Sequence, residues 1–406
     1  MTLTRCMLAV RSLRRTMAAT TRVLACNPSA ITFDAADRVH IADNSTRAAL
    51  EDAARIIVDG RCVAFPTETV YGLGADALQP DAVRRIFATK GRPSDNPLIV
   101  HVSSRVMLAS LLPSNYRISD TYETLMRSFW PGPLTLLFPA APDIVPRAVT
   151  AGHTTVGVRM PNHPVARALI ALADKPIAAP SANSSGKPSP TKASHVAKDL
   201  GQRVPLVLDG GACDVGVEST VLDGLQHDGI LRILRPGGVS VESIQEALGP
   251  NGPKVLVHRR DFVDKEIEVA PTTPGMKYTH YSPSIPVILL QHANKSLPAE
   301  SKPETVQEII SSLLATNITT SSVGLMSPTD SDLHKSLPKT VEWRIYDMGA
   351  RSQPAVAAQR LFDGLLTLEA QGVALILVEA VDEEHEGLAV MNRLSKAASQ
   401  TRWVRS

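Results

Sequence analysis

The sequence is poor in several features that mark particular classes of protein. Aromatic residues make up 4% of its 406 residues, which argues against broad stacking platforms for single-stranded nucleic acid. The formal net charge is +2, whereas dedicated nucleic-acid binders usually carry a stronger basic excess or a basic stripe. A small charged substrate is therefore the better expectation.

Cysteine pairs and long apolar runs are also missing. The 4 cysteines are scattered, with no CxxC pair and no histidine at a spacing typical of zinc, so we expect unpaired thiols in a reducing compartment. No apolar run approaches the roughly 20 residues that span a membrane. The sequence contains no GxxxxGK[ST] phosphate loop, no metal-ligand cluster and no Ser-His-Asp order that supports a triad. We accordingly predict no protein metal site.

Acidic residues are absent before Asp34, while the first 33 positions contain five arginines and several serines and threonines. This composition resembles a mitochondrial transit segment, and Met17 could act as a second start. A disordered basic tail is the alternative, and both interpretations stay open. We treat residues 1–40 as a basic N-terminal extension, and we expect a cytoplasmic protein with mitochondria as a second destination.

Alternating apolar patterns predict one α/β domain over residues 41–255, with a twisted mixed sheet. A helix is expected over 46–59, started by Asn44 or Ser45 and ended by Gly60. Further helices are predicted over 81–90, 163–173 and 240–248, and strands over 62–65, 97–102, 134–138, 155–160, 176–181, 206–210, 219–224 and 230–235.

Two further segments complete the chain. Residues 256–284 are proline-rich yet carry Lys277, Tyr278, His280 and Tyr281, so an ordered, contact-making linker is expected. From residue 285 to 406, strand and helix patterns alternate cleanly, which predicts a smaller Rossmann-like domain with a parallel sheet. That domain has no GxGxxG motif, so no dinucleotide is implied.

The segment KGRPSDNPLIVH, residues 90–101, has the strongest chemical pattern. Lys90 offers a mobile positive charge and Arg92 a planar fork, which together suit a polyphosphate. Asn96 can hydrogen-bond a nucleotide, and His101 lies on a short apolar strand that faces the same region. The alternative is structural, since cations at a helix C-terminus also complement its dipole.

Three other segments add candidate groups. The loop 180–191, PSANSSGKPSPT, is rich in hydroxyls and small residues that let backbone N–H groups approach an anion. Arg159 lies on a strand, where its guanidinium suits either a substrate carboxylate or an internal ion pair. Residues 209–223 contain glycines that permit close backbone approach, and Arg235 starts a turn. Each of these signals is weak alone.

Together these residues match a known family. The chain resembles the YrdC-type threonylcarbamoyl-AMP synthases in their longer form, which has an additional C-terminal domain. The matching pieces, in the family's order, are FPTETVYGLGADA, KGRPSDNPLIVHV, WPGPLTLLF, VGVRMPNHP, APSANSSGKPSPT, CDVGVESTV, LRPGGVS, PGMKYTHYSP and MNRLSKAA. They run from about residue 65 to residue 398.

The resemblance implies a nucleotidyltransferase activity. Such an enzyme takes L-threonine, bicarbonate and ATP and releases threonylcarbamoyl-AMP and pyrophosphate, with Mg2+ carried on the phosphates of ATP. The product feeds threonylcarbamoylation of the adenosine beside the anticodon in tRNA, which a downstream transferase complex performs. Direct tRNA binding and association with a membrane are not implied.

The resemblance also implies site residues. The family's catalytic tetrad falls on Lys90, Arg92, Ser181 and Asn183. The expected ATP contacts are Arg92, Asn96, Thr155, Ser181, Ser189 and Arg235, with Tyr278 or Tyr281 of the linker closing over the nucleotide. The expected threonine contacts are Thr69, His101, Arg159, Ala179 and Ser219, with Arg159 the partner of the substrate carboxylate.

Two rival hypotheses come from other classes. A non-catalytic protein could hold double-stranded RNA on a basic concave surface of the same fold, although the near-neutral charge disfavours it. Carbamoyl transfer for metallocentre maturation is the other, but no acylphosphatase-like or zinc-finger segment is visible.

Overall fold

A computed structural model describes residues 20–226, 228–264, 280–292, 302–314 and 322–405. Among them, the first domain is built on an eleven-stranded mixed sheet, with strand order β1-β10-β4-β5-β9-β6-β8-β7-β11-β12-β13. Its strands are Arg22–Ala25 (β1), Val63–Phe65 (β4), Gly72–Asp76 (β5), Val100–His101 (β6), Leu134–Pro139 (β7), Thr155–Arg159 (β8), Ile177–Ala178 (β9), Leu206–Asp209 (β10), Thr220–Asp223 (β11), Ile230–Arg235 (β12) and Lys254–Val257 (β13). A separate hairpin joins Ile31–Phe33 (β2) to Val39–Ile41 (β3).

The part of the N-terminal extension that the structure describes belongs to this fold. Strand β1 pairs in parallel with β10, and Arg22 forms an ion pair with Asp52 at 2.7 Å. The predicted extension over residues 1–40 overlaps this fold, because its second half contains β1, β2 and part of β3. These strands were not predicted from the sequence, because each is only three or four residues long. Residues 1–19, with Met17, lie outside the described residues.

Eight helices cover the first domain within the described ranges: Asn44–Val58 (α1), Pro80–Lys90 (α2), Arg105–Ala109 (α3), Asp120–Phe129 (α4), Arg147–Thr150 (α5), Pro164–Ala173 (α6), Ala193–Leu200 (α7) and Val241–Leu248 (α8). The N-cap of α1 is Asp43, whose carboxylate accepts from the Thr46 amide at 2.7 Å. The caps expected at Asn44 or Ser45 were wrong by one or two positions, because both residues lie inside the helix.

Alternating side chains of the strands divide the core of this domain into two layers. On β4, Val63 and Phe65 pack with α1 and α6, whereas Ala64 packs with α2, α4 and α8 on the opposite face. Successive side chains of a strand point to opposite faces, so a sheet buried on both sides needs near-continuous apolar runs. The short strand over 62–65 was predicted on that basis.

The C-terminal domain has a five-stranded sheet of order β16-β15-β17-β14-β18, and every strand pairing in it is parallel. This confirms the expected Rossmann-like sheet. The strands are Val287–His292 (β14), Ser322–Ser327 (β15), Glu342–Asp347 (β16), Ile376–Glu379 (β17) and Gln400–Val404 (β18). The helices are Val306–Leu314 (α9), Pro354–Ala370 (α10) and Gly387–Ala397 (α11).

The two domains share a packed interface. Val70 and Val217 of the first domain belong to the same apolar cluster as Leu361 of α10. Gly216 lies so close to α10 that a Cβ there would stand 2.3 Å from the Cα of Gln359. Lys192 and Asp363 form an ion pair across the interface at 2.7 Å. The second domain therefore touches the loops that lead to the sheet centre of the first.

Across the described residues, no helix has both the length and the apolar content needed to cross a membrane.

Candidate active site

A small cavity lies where several strand ends and loops of the first domain meet. The β4–β5 connection, β6, β8, the residues after β9, the loop before β11 and the end of β12 all contribute to its wall. Its volume is about 50 Å³. Nine residues predicted from the sequence line it: Thr69, Arg92, His101, Arg159, Ala179, Ser181, Ser219, Arg235 and Tyr281.

Arg159 is the most constrained of these side chains. Its Nη1 donates to the Thr69 hydroxyl at 2.9 Å, its Nε donates to the Gly132 carbonyl at 3.1 Å, and its Nη2 stands 2.6 Å from a carboxylate oxygen of Glu68. Arg159 is 3% exposed. Both interpretations of the sequence therefore apply, because the guanidinium has an internal ion pair and still lines the cavity.

His101 lies beside Arg159 in the parallel pairing of β6 with β8. Burial, reinforced by the charge of Arg159, lowers the pKa of His101 to about 3. The imidazole is thus neutral at physiological pH, and its Nδ1 is 3.3 Å from the Ile99 carbonyl. A neutral ring can act as a hydrogen-bonding partner of a polar ligand without adding charge.

Ser219 connects two sides of the cavity. Its hydroxyl is 2.8 Å from that of Thr135, and Arg235 donates to its carbonyl at 2.9 Å through Nη2. Burial lowers the pKa of Arg235 to about 10, and burial does the same for Arg92. Both guanidiniums are therefore cationic at neutral pH, and both line the cavity.

Lys90 is placed differently from the expectation of a phosphate contact. Its ammonium donates to the carbonyls of Ser181 and Asn183, the latter at 2.6 Å, and the residue is 4% exposed. It does not line the cavity. Burial and the nearby Arg92 charge lower its pKa well below the usual value. In this conformation Lys90 stabilises the loop 180–191 through hydrogen bonds to its backbone carbonyls.

The other predicted residues also stand away from the cavity wall. Asn183 accepts from Lys90 and donates to backbone carbonyls, Asn96 is buried beside Arg92, and Thr155 is half-buried at the start of β8. The Ser189 hydroxyl donates to Glu218 at 2.6 Å. None of these four residues lines the cavity in this conformation.

The described end of the linker contributes to the cavity wall. His280 and Tyr281 both line it, and the Tyr281 ring packs on Phe362 of α10 with 5.3 Å between ring centroids. Tyr281 is 2% exposed, and burial raises its pKa to about 12. The other predicted tyrosine, Tyr278, lies outside the described residues.

Two residues of the cavity wall and one that contacts it were not predicted from the sequence. Thr67 shares a 2.8 Å hydrogen bond with Thr69, Glu68 pairs with Arg159, and Glu218 lines the cavity directly. All three stand inside motifs that had been singled out, next to residues that were chosen. The feature that could have identified them is a polar residue within an otherwise buried segment. Each of the three is less than 10% exposed.

Comparisons with known proteins agree along nearly the whole chain. Residues 55–237 match the family described as telomere recombination, named for Sua5, YciO and YrdC, and residues 239–399 match the C-terminal domain of threonylcarbamoyl-AMP synthase. The threonylcarbamoyl-AMP synthase of Schizosaccharomyces pombe is 45% identical over 383 residues, which are 89% of this chain and 91% of that protein. Its Bacillus subtilis counterpart is 42% identical over 349 residues, or 86% of this chain and 92% of that protein. The crystal structure of Pyrococcus abyssi Sua5 complexed with L-threonine matches with a TM-score of 0.74 and 38% identity, covering 95% of this chain and 100% of that one.

Proposed function

The chain belongs to the threonylcarbamoyl-AMP synthase family, and we propose that it makes threonylcarbamoyl-AMP from L-threonine, bicarbonate and ATP with release of pyrophosphate. It is an enzyme, a nucleotidyltransferase of tRNA modification. One observation carries the proposal: the five residues expected to hold threonine all line a single cavity. The hypothesis of a non-catalytic RNA-binding protein is not favoured, since the relatives that match most of the chain are named as synthases.

Threonine fits the wall formed by Thr69, His101, Arg159, Ala179 and Ser219, which we call the threonine half. The substrate carboxylate would approach Arg159 and the Thr69 hydroxyl that Arg159 already contacts. A planar guanidinium matches a carboxylate with two parallel hydrogen bonds. The neutral His101 ring and the Ser219 hydroxyl supply uncharged partners for the substrate's own hydroxyl and amine.

ATP is assigned to the other predicted residues of the cavity wall, Arg92, Ser181, Arg235 and Tyr281, which we call the ATP half. The two cations are placed to neutralise phosphate charge, and Ser181 stands at the start of the hydroxyl-rich loop. Lys90, Asn96, Asn183, Thr155 and Ser189 are proposed to support these contacts, through the loop geometry or after a local rearrangement. Mg2+ would enter on the phosphates of ATP, which with water provide the oxygen ligands that it prefers.

The chemistry needs positioning and charge neutralisation more than acid or base groups. The neutral amine of threonine attacks the carbon of CO2 and releases a proton, or attacks bicarbonate with cleavage of a C–O bond and loss of water; either route gives a carbamate. A carbamate oxygen then attacks the α-phosphorus in line, and the bond to the β-phosphate breaks as pyrophosphate leaves. Arg92 and Arg235 stabilise the charge that develops on the phosphates. The threonine half holds the amine near that centre.

The nucleotide requires more room than the cavity now offers. Ligand pockets usually have volumes of roughly 300 Å³ or more, whereas this cavity measures about 50 Å³ under His280 and Tyr281. The Tyr281 ring would have to move before ATP binds, after which it can stack on the base or cover the phosphates. The product would then pass to a tRNA threonylcarbamoyl transferase complex.

The site of action is proposed to be the cytoplasm, with mitochondria as a second destination directed by the arginine-rich start of the chain. Translation from Met17 would retain the whole described fold, because β1 begins at Arg22. Fluorescent fusions of the full chain and of a chain that starts at Met17 test this point. An identical distribution of the two would contradict a targeting role for residues 1–16.

A pyrophosphate-release assay with each substrate omitted in turn tests the activity. Release should require ATP, L-threonine and bicarbonate together, and L-valine, which lacks the hydroxyl, should support it poorly. Mass spectrometry should find threonylcarbamoyl-AMP. ATP turnover that is independent of threonine would overturn the proposal.

A further inference from the structure

Arg393 reaches the candidate active site from the C-terminal domain. It lies on α11, within the segment MNRLSKAA, and is 1% exposed. Its Nε donates to a carboxylate oxygen of Glu218 at 3.0 Å, and its Nη1 donates to the Pro236 carbonyl. Glu218 and Pro236 both belong to the first domain: Pro236 follows Arg235 of the ATP half, and Glu218 itself lines the cavity. The C-terminal domain thus places a buried cation directly behind that wall.

Glu218 is an unusual group to find on a wall that faces phosphates. It lines the cavity, and its second carboxylate oxygen accepts from Ser189 at 2.6 Å. Burial alone would raise the pKa of Glu218, but the charges of Arg393 and Arg235 outweigh that effect, and the pKa falls to about 2. The carboxylate is therefore ionised at neutral pH, and it would repel nucleotide phosphates if nothing balanced its charge.

Removal of Arg393 would leave Arg235 as the cation with the largest remaining effect on this carboxylate. Arg235 lines the ATP half, and its Nη2 donates to the carbonyl of Ser219, the residue after Glu218. A buried carboxylate that loses one partner either takes up a proton or pairs with another cation. In the second case Glu218 and the phosphates would compete for Arg235.

We propose that Arg393 is a positioning residue for ATP, which holds the Glu218 carboxylate against Ser189 and neutralises it, so that the cations of the cavity serve the nucleotide. The proposal rests on the proposed function for the identity of the nucleotide. It assigns a role to the C-terminal domain, which completes the ATP half from outside. In the threonine half, by comparison, the cation Arg159 has its partners Thr69, Gly132 and Glu68 within the first domain.

A second ion pair across the same interface provides a matched control. Asp363 of α10 accepts from Lys192 at 2.7 Å and stands 3.4 Å from His195, and neither partner lines the cavity. Asp363→Asn weakens the contact between the domains without altering the charge of the cavity wall. A general loosening of the interface would therefore affect Asp363→Asn and Arg393→Met alike, whereas the proposed role is specific to Arg393.

The test compares Arg393→Met, Arg393→Lys, Glu218→Gln and the double variant Arg393→Met/Glu218→Gln in the full chain. Arg393→Met should raise the KM for ATP about tenfold or more, since a buried charge pair is broken. The KM for threonine should change less than about twofold, and Arg393→Lys should lie between wild type and Arg393→Met. In the double variant, the KM for ATP should return to within about threefold of Glu218→Gln alone. Asp363→Asn should keep the wild-type value.

Three results would overturn the proposal: a double variant as impaired as Arg393→Met, equal losses for ATP and threonine, or an Asp363→Asn effect as large as that of Arg393→Met. If Arg393→Met fails to fold, Arg393→Lys and the double variant still decide, because neither leaves an unpaired buried carboxylate. Calorimetric binding of Mg-ATP without threonine runs in parallel. If the wild type binds ATP but shows no threonine-dependent pyrophosphate release, the proposed function fails, while the affinity ratios still test Arg393.

Discussion

The two halves of the cavity are built from different parts of the chain. The threonine half comes from strands and their immediate ends, and its Arg159 is held by three groups of the first domain. The ATP half depends on the loop 180–191, the linker and a cation of the second domain. Side chains on paired strands have few alternative positions, whereas loops hold theirs through tertiary contacts. The threonine half should therefore respond to local changes alone, and the ATP half to distant ones as well.

The largest effect is expected from Arg159→Lys, which should impair the threonine half alone. A lysine keeps the charge but loses the planar fork that contacts Thr69, Gly132 and Glu68. We expect kcat/KM for threonine to fall about 100-fold, with ATP affinity nearly unchanged. Steady-state pyrophosphate release at varied threonine measures the fall. Arg105→Lys, which alters a surface pair with Glu123, is the matched control. An unchanged KM for threonine would remove Arg159 from the site.

The next largest effect is expected at Lys90, where a substitution distinguishes stabilisation of the loop 180–191 from direct contact with phosphate. The structure has its ammonium on the carbonyls of Ser181 and Asn183, so Lys90→Met should lower kcat/KM for ATP about 30-fold by disordering the loop. It should also lower the free energy of unfolding by about 1–3 kcal/mol, because two buried carbonyls lose their donor. Lys187→Met, in the same loop but paired with Asp199 at the surface, should change neither. A variant that loses activity yet gains stability would show that the charge of Lys90 acts on the phosphates instead.

A smaller effect is expected at the interface between the domains. Gly216 has φ +75°, and a Cβ would overlap the backbone of Gln359. Gly216→Ala should push α10 away from the first domain and raise the KM for ATP about tenfold, while the KM for threonine changes less than about twofold. Gly229→Ala is the matched control, since Gly229 has φ +73° but nothing within 4 Å of its Cβ position. Equal effects of the two substitutions would attribute the loss to backbone strain and not to the interface.

The same division explains how much could be predicted from the sequence. The five residues of the threonine half were predicted from the family resemblance, which placed them in motifs next to short strands, and all five line the cavity. The parallel sheet of the second domain followed from its clean alternation of strand and helix. Arg393 was not chosen, although its motif was noted, because its partner Glu218 lies 175 positions away and no local pattern reports such a contact. Strand β1 was missed for a similar reason, since its only support is a tertiary pairing with β10.

Lys90 shows the opposite case, in which the motif predicts a direct phosphate contact while the structure has the ammonium on backbone carbonyls. Cations between a helix and a proline-rich turn can either bind a ligand or hydrogen-bond the backbone of a neighbouring loop. The choice depends on which carbonyls the loop 180–191 brings near, and that loop is distant in sequence. Residue type and spacing thus located the site, while the orientation of its buried cations required the tertiary structure.

The smallest effect at neutral pH is expected from His101→Asn, which tests whether the threonine half stays uncharged. Burial, with the charge of Arg159, lowers the pKa of His101 from its usual 6.5 to about 3. The unfolded chain binds this proton below pH 6.5, whereas the folded chain binds it only near pH 3, so the stability contributed by the neutral ring is complete above pH 6.5 and is lost as pH falls. Between about pH 6 and pH 3 the wild type should lose about 1.4 kcal/mol per pH unit through this group, and His101→Asn should remove that slope. Denaturant unfolding across this range measures both proteins, and the KM for threonine should show no step near pH 6.5 in the wild type. A step there, with equal acid slopes for both proteins, would mean that His101 is charged beside Arg159 when threonine binds.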